Sequence, residues 1–166
     1  MRRIILALLA TLGLTLVTAA PAHAETFPFR WADRTVAIYD GTGAGNTVDV
    51  PGIVTDWNKA GAVTLYQVSD PAVAQITLET AVGQSYPGMA WINDSGGAIL
   101  SCRISVNAAI ADEPYAHHVG LHEVGHCLGL DHTDHKGSIM LPTVSWWNYM
   151  TAPSKWDLRQ LADHYR

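Results

Sequence analysis

The chain has 166 residues, ten Lys or Arg against fifteen Asp or Glu, eight histidines and two cysteines. Its acidic balance excludes nucleic-acid binding through a basic footprint. The length and the 48% hydrophobic content fit one globular domain with its own core, and no internal repeat, low-complexity tract or interdomain linker interrupts it.

Residues 1–24 read as a signal peptide rather than as part of the fold. Arg2 and Arg3 give a positive start, Ile4 to Val17 is uncharged and mostly apolar, and Ala22-His23-Ala24 fits a small-x-small cleavage site. A retained membrane anchor is the competing reading, because the uncharged run is nearly long enough to span a bilayer; Pro21 and the cleavage site favour removal. Cleavage after Ala24 leaves a domain at 25–166 with eight basic and fifteen acidic side chains, a formal charge of −7. That domain is expected to be secreted, extracellular and monomeric, with no stable membrane association.

Arg34 to Tyr39 alternates as a strand does, and Asp40 to Asn46 is a Gly-rich loop. Pro51 to Ala60 begins as helices begin, and Ile53, Val54 and Trp57 give it an apolar stripe. Strands are expected at Val63 to Val68, Ala74 to Glu79, Gly88 to Asn93 and Ala98 to Val106, with Asn93-Asp94-Ser95-Gly96-Gly97 as a turn between the last two. A long helix is expected from Tyr115 to Leu128, and a final one from Ser154 to Tyr165 with Ser154 and Asp157 at capping-box spacing. The order β-α-β-β-β-β-α-α predicts an α/β domain with a mixed sheet.

The long helix carries the chemistry, in the run His122-Glu123-Val124-Gly125-His126-Cys127-Leu128-Gly129-Leu130-Asp131-His132. Four residues separate His122 from His126, so both imidazoles leave the same helix face. Gly129 can adopt the left-handed conformation that ends a helix, which would return the chain and deliver His132 as a third ligand. Three neutral imidazoles leave one position of a tetrahedral zinc open to water, as catalytic sites do. Glu123 is placed to act as general base toward that water. One catalytic zinc and a hydrolytic reaction follow; the competing reading is a helix with solvated histidines on its polar face.

Other polar residues are less specific. His118 shares the face of His122 and could extend the metal site, or stand in a solvated first turn. Calcium is possible but unsupported: Asp40, Asp49 and Asp94 lie in loops, where turn chemistry explains them. For Cys102 and Cys127 the leading reading is a disulfide, as secretion favours, and two buried thiols are the alternative.

The full H-E-x-x-H-x-x-G-x-x-H run, with Met140 eight residues after His132, resembles the metzincin metallopeptidases. Followed by Ser138-Ile139-Met140-Leu141-Pro142, it is most similar to the matrixins, over roughly Trp31 to Tyr165. The resemblance implies a twisted five-stranded sheet with two helices, a zinc cleft and a small C-terminal subdomain holding a final helix. It implies a zinc metalloendopeptidase acting on protein or peptide substrates, with His122, His126 and His132 on zinc and Glu123 catalytic. Met140 would form the hydrophobic floor of the Met-turn, Pro142 would line the pocket after the scissile bond, and Asp157 would brace the Met-turn or simply serve as an N-terminal helix charge. Gly88, Met89, Ala90 and Trp91 would belong to the edge strand that holds extended substrate. Trp146, Trp147, Tyr149 and Met150 would wall the specificity pocket, implying a hydrophobic or aromatic preference after the cleaved bond, or would pack the subdomain instead.

The sequence also departs from the family. Both cysteines lie far along the sequence, so no propeptide cysteine is expected to block the zinc, and a second, structural zinc has no clear ligands. Two further readings stand beside the peptidase: a secreted zinc-binding module without activity, against which an intact Glu123 argues, and a hydrolase of cell-wall peptides.

Overall fold

The computed structural model describes residues 26–143 and 149–166; the signal-peptide reading of 1–24, and Trp146 and Trp147, lie outside the described residues. In chain order the elements are β1 Arg30–Trp31, β2 Thr35–Gly41, α1 Val50–Asn58, β3 Thr64–Val68, β4 Ile76–Ala81, β5 Gly88–Ser95, β6 Ala98–Asn107, α2 Tyr115–Cys127 and α3 Lys155–His164. Five strands and all three helices fall where the alternation and helical stripes place them, within a few residues. The sixth strand, β1, is two residues long and carries no periodic signal; it exists because it pairs with Ala98 and Ile99 of β6.

The sheet is mixed, as expected for this element order. β3, β2, β4 and β6 are parallel neighbours, and β5 runs antiparallel along the far side of β6. β1 continues the line of β4 against the start of β6. The expected five-residue turn is shorter in fact. Strand pairing reaches Ser95 and Ala98, leaving Gly96-Gly97 as a two-residue connection with both φ values positive.

Both α1 and α2 cover the same face of the sheet, and they touch each other. The core between them holds Ile38 of β2, Leu78 of β4 and Ile104 of β6 against Ile53 and Trp57 of α1 and Leu121 and Val124 of α2, all essentially buried. The Trp57 indole donates to the Leu121 carbonyl at 3.1 Å, so the largest side chain of α1 is also hydrogen-bonded to the metal helix. A disulfide joins Cys102 of β6 to Cys127 at the end of α2. The pairing fixes the sheet to the turn that carries the motif.

The start and end of the described chain close over that turn. The Trp31 indole donates to the Cys127 carbonyl at 2.8 Å, the Trp31 amide donates to the Tyr165 hydroxyl at 3.2 Å, and Arg34 donates to the Tyr165 carbonyl. Ser154 and Asp157 form the expected capping box at the start of α3. Among the described residues no helix is long and apolar enough to cross a membrane.

Candidate metal centre and cleft

The histidine run folds as its spacing dictates. His122 and His126 leave one face of α2, and Leu128 caps the helix. Gly129 then takes φ +96°, and its lack of a Cβ is required, since one would stand 2.5 Å from His164 Nε2 and 3.0 Å from the Phe29 carbonyl. The reversal brings His132 Nε2 to 3.2 Å from both His122 Nε2 and His126 Nε2. Among the described residues this is the only group of three or more His, Cys, Asp or Glu whose donor atoms gather closely enough to share an ion.

The chemistry of these three nitrogens fits zinc. The His122 Nδ1 lies 2.8 Å from the Ile139 carbonyl and the His126 Nδ1 lies 2.8 Å from the Leu130 carbonyl. A carbonyl only accepts, so each Nδ1 carries the proton and each Nε2 presents a lone pair to the common point. Bare nitrogens facing each other repel unless a cation lies between them. Tetrahedral zinc with bonds of 2.0–2.1 Å sets its ligand nitrogens about 3.3 Å apart, close to the spacing found. Burial, together with the neighbouring imidazoles, also holds His122 and His126 down to about 4, so both are neutral near pH 7, the form a metal takes.

Met140 packs against Gly125 of α2. Its side chain is buried, and a Cβ at Gly125 would come within 2.5 Å of its sulfur, so Gly125 is what lets the Met segment lie against α2. Asp157, fully buried, accepts from the Ser138 hydroxyl, from the Ile139 amide at 3.1 Å and from the Ser154 amide at 2.7 Å. It is therefore both a helix cap and the brace of the Met segment.

Glu123 is buried on the cleft side of α2, and burial pushes its carboxyl up to about 7, with the Ala90 backbone pulling the other way. A cleft of about 530 Å³ runs over these groups, with β5 on one side and Leu141, Pro142 and Thr143 on the other. Gly88, Met89, Ala90 and Pro142 all line it. Trp91 does not: its side chain alternates to the outer face of the sheet, where the Arg103 guanidinium stacks on it, 4.4 Å from the ring centre.

Two more residues differ from their sequence reading or escaped it. His118 does not stand in a solvated first turn; it is 3% exposed, accepts the Met150 amide on Nδ1 at 3.0 Å and lines the cleft. It is not part of the metal group either. Phe27 also lines the cleft, with its ring 5.8 Å from that of His126. No local pattern marks it, because its position comes from pairing with residues about a hundred positions away. Asp40 and Asp49 spend their carboxylates on local turns, receiving the Thr42 and Gly52 amides at 3.0 Å.

Among known families, the matrixin profile matches residues 56–165, from within α1 to the end of α3, and includes the whole histidine run and the Met segment. A search among curated proteins finds no match.

Proposed function

We propose that this chain, which belongs to the matrixin family of zinc metallopeptidases, is a secreted endopeptidase that cleaves peptide bonds in protein or peptide substrates with Glu123 as general base. The observation that carries the reading is the convergence of His122, His126 and His132 through bare Nε2 atoms on one point beside Glu123.

Zinc, which His122, His126 and His132 would hold, would supply Lewis acidity to the scissile carbonyl and lower the pKa of water toward 7. Glu123 takes the proton of the attacking water as its oxygen bonds to the carbonyl carbon. The same carboxyl returns the proton to the departing amine as the C–N bond breaks. Without metal, burial raises the Glu123 carboxyl to about 7; a zinc cation on the neighbouring histidines would favour the ionised carboxylate that accepts the proton. The outer edge of β5 offers backbone donors and acceptors to an extended substrate lying antiparallel to it. Substrate in that direction places its residues after the scissile bond toward Gly88, His118 and Pro142. Cleavage of the first 24 residues would release the domain outside the cell, where the Cys102–Cys127 disulfide persists.

Casein hydrolysis measured before and after a zinc chelator tests this. Activity lost to the chelator and restored by zinc is the expected result; absence of hydrolysis by the zinc-loaded protein would leave a binding module.

A further inference from the structure

Phe27 lies outside the stretch matched to the family, and none of the chemistry above uses it. Its place is nevertheless tightly determined. Its amide donates to the Gly129 carbonyl at 2.9 Å, and Thr26 forms an antiparallel bridge with Leu130. Two residues on, the Phe29 carbonyl accepts from His164 Nε2 at 3.2 Å, and the Phe29 ring stacks on Phe27 with centres 5.0 Å apart. Trp31 then anchors the segment to Cys127 and Tyr165. The segment is thus bonded at alternate residues to the turn between His126 and His132, and to the last helix.

That turn is also what orients His126, whose Nδ1 proton goes to the Leu130 carbonyl. The ring of Phe27 lies beside the same imidazole, centres 5.8 Å apart and planes tilted by 40°. We propose that Phe27 is a positioning residue of the metal centre: it holds the His126 imidazole in its metal-facing orientation and keeps water from the bond between that nitrogen and zinc. The proposal rests on the reading of the histidines as zinc ligands. Physically, a ligand released for an instant either rebinds or is captured by water. An apolar cover that fixes the ring plane and excludes solvent favours rebinding, and groups surrounding metal ligands commonly change metal affinity by about 10–100-fold.

The test is the rate of zinc transfer from the full-length protein to a chromophoric chelator at 25 °C, with cobalt substitution as a second readout. Phe27→Ala is expected to release zinc about tenfold faster than the parent and to alter the visible cobalt spectrum. Phe27→Leu, which keeps an apolar cover, should stay within about threefold of the parent. Melting of the two zinc-free variants should differ little, which separates positioning from general loosening. If Phe27→Ala does not fold, Phe27→Val takes its place in the same comparison. Equal release from the parent and Phe27→Ala (or Phe27→Val in its place), or release from Phe27→Leu as fast as from Phe27→Ala, would overturn the proposal. A parent protein that retains no zinc would instead remove the reading on which it rests, and with it the proposal.

Discussion

Asp157 and His122 are linked through a single residue, Ile139. The Ile139 amide donates to the buried Asp157 carboxylate at 3.1 Å, and its carbonyl receives the His122 Nδ1 proton at 2.8 Å. The last helix thereby sets the orientation of the His122 imidazole, the first of the three proposed zinc ligands. Asp157→Ala strands the Ile139 and Ser154 amides and the Ser138 hydroxyl in a buried place. It should lower the stability of the zinc-free protein by about 1–3 kcal/mol, and weaken zinc binding about tenfold. Denaturant unfolding in chelator, paired with a zinc competition titration, measures both; a variant that loses stability but binds zinc unchanged would break the link.

Gly88 stands against Glu123, the proposed general base. A Cβ there would lie 2.3 Å from Val119 Cγ1 and 2.9 Å from Glu123 Oε1. Gly88→Ala must therefore push β5 away from α2 or displace the carboxylate, at a strain of about 1–3 kcal/mol. The expected outcome is full zinc content with kcat reduced about tenfold or more, since small misplacements of reacting groups are costly. Steady-state cleavage of a fluorogenic peptide, alongside zinc analysis, decides it, and an unchanged kcat would mean the strand simply yields.

The disulfide closes a separation of 25 residues between β6 and the end of α2. Replacing both Cys102 and Cys127 by alanine should cost about 3 kcal/mol, mainly by freeing the unfolded chain. Urea unfolding of parent and double variant gives the difference directly. A loss below about 1 kcal/mol would show that β1, α3 and the Trp31 contacts hold the turn without it.

In the zinc-free protein, pH acts through buried histidines. Burial lowers His118, His122 and His126 to about 4 from 6.5. The unfolded chain therefore binds more protons than the native one between pH 6.5 and 4, and stability falls as pH falls through that window. Glu123, raised from 4.5 to about 7, acts in the opposite sense and loses stability as pH rises through 4.5 to 7. With three groups against one, the zinc-free protein should weaken from pH 6.5 toward 4, and Glu123→Gln should steepen the fall. Denaturant midpoints across that range in chelator test the sign; a midpoint that rises on acidification would contradict it.

What was legible in the sequence was what depends on near neighbours. The motif needs only helical spacing and one left-handed glycine, so its triad could be assembled from residues 122–132 alone. Capping of α3 by Ser154 and Asp157 is equally local. β1 was not legible because a two-residue strand is defined by its partner, Ala98 and Ile99, and not by its own pattern. His118 misled for a related reason: helical spacing gives its face, while the Met150 segment and Tyr115 decide that this face is buried. Along β5 the sequence places Trp91 at the cleft with its neighbours, but alternation turns Gly88, Ala90 and Ile92 inward and Trp91 outward, while Met89, of the same parity as Trp91, still reaches the cleft rim. Parity gives the direction of Trp91 once one inward residue is known, but not the reach of Met89 at the end of the cleft.

Glu123→Gln, assayed for both bound zinc and peptide cleavage, tests the central claim most directly. The neutral amide keeps the size of the side chain but cannot take a proton from water. One zinc per chain should remain while kcat falls by at least about a hundredfold. Cleavage at the parent rate by a zinc-loaded Glu123→Gln protein would contradict the assignment of Glu123 as the base.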